Sequence, residues 1–78
     1  MASRATTTAL LTRIYDGTGS REVRAIAAEA RADVETAANE EDVIRWAKAG
    51  MVAIRKAPGA EAWVVELAAG FLASMPQA

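Results

Sequence analysis

Glu29 and Asp33 stand four residues apart, the interval that puts two carboxylates on one face of a helix, where they could lend oxygens to a divalent cation if other ligands joined them. Nothing in the chain supplies those others. Histidine and cysteine are both absent, which removes the commonest general base and metal ligand together with thiol nucleophiles, thiolate zinc sites and disulfides. A solvated helix face has the same appearance, and that is the reading adopted. No catalytic residue, metal site or cofactor is expected, and the chain is not expected to be an enzyme.

The remaining polar clusters have structural explanations. Glu40, Glu41 and Asp42 follow Asn39 as acids do at the start of a helix, where they complement the positive end of its dipole. Gly17-Thr18-Gly19-Ser20 has the small residues of an anion-binding turn, but it lacks the lysine and the spacing of a nucleotide-binding loop and follows a helical segment instead of a strand. A capped connection between two helices accounts for it.

What stands out is the aromatic, methionine and leucine content of the C-terminal half. Trp46, Met51, Trp63, Leu67, Phe71 and Met75 include the residue types enriched where proteins meet partners, tryptophan above all. They are the candidate partner-binding residues of a non-enzymatic interaction module, which either forms a homo-oligomer or docks on a larger protein assembly as an adaptor or inhibitor. The alternative is a small helix-turn-helix-like DNA-binding regulator using Arg21, Arg24 and Arg31 on its second helix, with Arg4 and Arg13 adding phosphate contacts. A recognition helix starting at Glu40 would instead point three acids at phosphates. Glu22, Glu29 and Asp33 share the second helix, and the net charge is −1; both weigh against nucleic acid.

These residues must be positioned by helices, because four segments carry helical periodicity and none alternates as a strand does. The expected fold is all-α, a single domain of four short helices at about 3–15, 20–37, 40–56 and 60–75. Their core stripes are Thr7, Leu10, Leu11 and Ile14; then Val23, Ile26, Ala27, Ala30, Val34 and Ala37; then Val43, Ala47, Gly50, Met51 and Ile54. Trp46 lies about 60° of helical rotation from Val43, at the edge of its stripe. Gly17 is expected to end the first helix in the left-handed conformation, Glu41 to pair with Arg45, and Pro76 to end the fourth helix.

The fourth segment differs in kind. Its only charges are Glu61 and Glu66, so apolar residues surround most of its circumference. Twenty of the 78 residues are alanine, which favours helix but buries little area, so the first three segments have few large side chains with which to cover the fourth. A small scaffold without disulfide or metal is stabilised most readily by association. No run of apolar residues reaches the ~18 of a membrane span, and the N-terminus makes a poor signal peptide. No membrane partner is expected. A bacterial or phage protein of the reducing cytoplasm fits the alanine content and the missing cysteine.

Overall fold

The computed structural model describes residues 3–75 and consists of four α-helices; among those residues there is no strand. Pro76 and its expected role as a helix stop lie outside this range, as does the start of the N-terminal segment read for a signal. The helices are α1 (Arg4–Gly17), α2 (Arg21–Glu35), α3 (Glu40–Lys56) and α4 (Ala62–Ser74). Three begin on a side-chain cap. Ser3 Oγ accepts from the Thr6 amide, Ser20 Oγ from Val23 and Asn39 Oδ1 from Asp42, at 3.1, 3.2 and 2.9 Å, so each satisfies an amide that the helix itself leaves free.

Contacts along α1 and α2 define an antiparallel hairpin. Arg4 donates to the Ala37 carbonyl, Arg31 to Thr12 Oγ1 and Arg24 to the Thr18 carbonyl. Helix α3 then packs against α2, and α4 against α3. The side chains of Leu11, Ile14, Met51 and Ile54 are wholly buried where these helices meet, each worth about 1.5–3 kcal/mol relative to exposure. The expected stripe of α3 is buried at all five positions. Of the stripes expected for the first two helices, Leu10, Ile26 and Ala37 are only partly covered, and Ala37 lies beyond the end of α2.

Several local expectations are corrected. Gly17 is helical, and the only positive φ among the described residues belongs to Gly59, at 78°. Gly17 matters for space: a Cβ there would lie 2.9 Å from Cη2 of Trp63. Helix α2 stops at Glu35, because Thr36 leaves helical geometry while its hydroxyl donates to the Ala32 carbonyl at 2.8 Å. Helix α4 starts at Ala62, since Glu61 has an extended backbone. Arg45 pairs with Asp42, one turn back at 3.5 Å, and not with Glu41. Gly50 packs on Ala30: a Cβ would sit 2.6 Å from the Ala30 Cβ, so it allows the close helix approach by which α2 and α3 cross where neither tolerates more bulk.

Candidate functional site

The periodicity of α4 is too weak to choose a face. Only Val64 and Ala68 are fully buried within it, while Trp63, Val65, Leu67, Phe71 and Leu72 are half-buried. At 100° per residue the exposed Ala62, Glu66, Gly70 and Ala73 form its outermost ridge, with Trp63 and Leu67 on one flank and Val65 and Leu72 on the other. Nothing lies within 4 Å of a Cβ built on Gly70. Glycine in a helix interior costs about 1 kcal/mol relative to alanine, and no internal contact of α4 requires it here.

The six candidate partner-binding residues therefore separate. Met51 is completely buried and Met75 nearly so; both belong to the interior and offer no contact surface in this conformation, because the stripe of α3 and the end of α4 turn inward. Trp63, Leu67 and Phe71 lie together on the half-covered side of α4, with the Trp63 ring closing over Gly17. Trp46 is elsewhere. It is 42% exposed and lines a groove of about 240 Å³ between α2 and α3, with Ile26, Glu29, Ala30, Asp33, Ala49, Gly50 and Ala53. Small side chains at the α2–α3 crossing leave this groove open, and the expected acidic pair forms part of its wall. Among the described residues, no three potential ligands cluster as a metal ion would require.

Two of the three arginines of α2 are tied to their own fold. The guanidinium groups of Arg24 and Arg31 both lie over the Tyr15 ring, at 5.8 and 5.9 Å from its centre. Arg24 also donates to the Thr18 carbonyl and Arg31 to Thr12, and Arg31 pairs with Glu35 at 3.5 Å. Arg21 is exposed.

One residue was overlooked in the sequence. Glu61 reaches back to the α1–α2 connection, accepting from the Thr18 hydroxyl at 2.6 Å and the Gly19 amide at 2.8 Å. The Gly19 amide first, and the Thr18 hydroxyl second, hold its carboxyl below the ordinary value of 4.5. Beside it Ser20 Oγ donates to the Pro58 carbonyl at 3.0 Å, so two loops are fastened together. The available signal was an acid at the start of an apolar helix that has no Ser, Thr or Asn cap.

No helix among the described residues is long and apolar enough to cross a membrane. Comparison with protein-family models, curated proteins and solved structures finds no match to this chain.

Proposed function

We propose that the protein is a non-enzymatic interaction module that buries α4 against another protein chain, in the first instance a second copy of itself. One observation carries this reading: the most apolar helix keeps Trp63, Val65, Leu67, Phe71 and Leu72 only partly buried, beside an exposed ridge on which Gly70 leaves room for a close neighbour. Association would remove that apolar surface from water at about 25 cal/mol per Å², and glycine lets a facing backbone approach.

Gly70→Arg tests it, because the open space around Gly70 accommodates the side chain within one molecule but not beneath a partner. The expected result is a reversible dimer of the unaltered chain in sedimentation equilibrium at micromolar to millimolar concentration, and a monomer of unchanged helix content for Gly70→Arg. A chain that remains monomeric at millimolar concentration removes self-association. Docking on a larger assembly then requires a partner that co-purifies with the unaltered chain and is lost with Gly70→Arg.

The DNA-binding alternative has less support, since Arg24 and Arg31 are engaged with Tyr15, Thr18 and Thr12. Phosphate contacts by either would compete with bonds inside the fold.

A further inference from the structure

The groove between α2 and α3 is lined by no residue of α4 and is a separate surface. Its floor is the buried Ala30 and Gly50 with the exposed Ala49 and Ala53 beside them, while Ile26, Trp46 and the carboxylates of Glu29 and Asp33 are its long members. Every charged residue lining it is acidic. Among the described residues, neither Glu29 nor Asp33 has a cationic partner within 4.0 Å; the ion pairs there are Arg31–Glu35 and Arg45–Asp42. Two like charges four residues apart on a helix repel, and a cation between them relieves that cost. At about 240 Å³ the space is smaller than the ~300–1,000 Å³ of small-molecule sites. It is suited to one long side chain.

We propose that this groove receives an arginine side chain from a partner protein. The methylene stem lies along the alanine floor, the guanidinium plane stacks on the exposed Trp46 indole, and its N–H groups donate to the Glu29 and Asp33 carboxylates. Arginine fits better than lysine, because a flat, weakly hydrated cation both stacks on an aromatic face and bonds to carboxylates in a fork. This docking is independent of the α4 reading. An α4 surface that failed to associate would leave it standing, and its own failure would leave α4 untouched.

The test uses the full chain labelled with ¹⁵N at low ionic strength, where exposed charges are least screened, with hexa-arginine as probe and the uncharged hexa-citrulline as control. The expected result is a saturable shift of the Trp46 indole N–H resonance and the Ala30 and Gly50 amides, with the Trp63 indole unmoved and no response to hexa-citrulline. Removing the groove charges with Glu29→Gln and Asp33→Asn together should weaken binding about tenfold, the size of a charge-assisted hydrogen bond. The pair Glu40→Gln and Glu41→Gln removes as much charge outside the groove and should change binding less than about threefold. Both double variants alter side chains that make no internal bond, and the amide spectrum checks their folding. The site is overturned by equal weakening in the two variants, by an equal response to hexa-citrulline, or by no shift at millimolar peptide.

Discussion

Helices α3 and α4 are neighbours, and the difference between them separates hydrophobic pattern from hydrophobic content. In α3 the stripe of Val43, Ala47, Gly50, Met51 and Ile54 is buried, and both ends carry charges that suit the helix dipole, acids at the start and Arg55 and Lys56 at the end. Helix α4 is richer in large apolar residues yet has two fully buried positions, no side-chain cap and no charge in its first or last turn. Periodicity determines which face turns inward; sheer apolarity only says that more of the helix is unfavourable in water than one neighbour can cover. The stripe of α3 is closed within the molecule, and the large side chains of α4 remain partly exposed.

Truncations should expose that contrast most strongly. Ile54→Ala, in the closed stripe, should lower unfolding stability by about 2–5 kcal/mol and do so equally at all protein concentrations. Leu67→Ala, on half-covered α4, should cost about 1 kcal/mol in dilute solution and more as concentration rises, because a shared face couples stability to association. Denaturant titrations at two concentrations check both, and a Leu67→Ala cost independent of concentration would break the comparison.

The two mid-helix glycines sharpen it at the level of single methyl groups. Gly50→Ala should destabilise by about 1–3 kcal/mol, since the added methyl meets Ala30 at 2.6 Å and overpacks the crossing. Gly70→Ala meets nothing and should stabilise the isolated chain by up to about 1 kcal/mol. Thermal melting of dilute samples reads both signs.

The smallest effect concerns the start of α4. The carboxyl of Glu61 is held below its usual range by the Gly19 amide and the Thr18 hydroxyl, so its contribution to stability is present above about pH 4.5 and fades as acid protonates the folded form. Glu61→Gln should melt below the unaltered chain at pH 7, and the gap should close as acid protonates the folded carboxyl. A constant gap would mean that the bonds to Thr18 and Gly19 do not depend on charge.

Much of this architecture was legible in the residues. Asn39 with its acids marked the start of α3, and the spacing of Val43, Ala47, Gly50, Met51 and Ile54 marked its inner face, because caps and periodicity are local properties of the chain. The edge position of Trp46 followed from rotation alone. What escaped depends on contacts between residues far apart in sequence. Gly17 reads as left-handed, whereas it stays helical and leaves its space to Trp63, and Glu61 reads as part of a helix until Thr18 and Gly19 draw its side chain away. The groove beside Trp46 was equally hidden, since its opening is set by Ala30 meeting Gly50 across two helices.

The fastening of Glu61 to Gly19 joins groups 42 residues apart in the chain, and it requires α1, α2 and α3 to have brought the two connections side by side. Bringing such distant groups together is entropically expensive early in folding. The clasp therefore reports on the assembled molecule: it is a latch that holds only where all three helices are in place, and exchange protection of the Gly19 amide would read how often it opens.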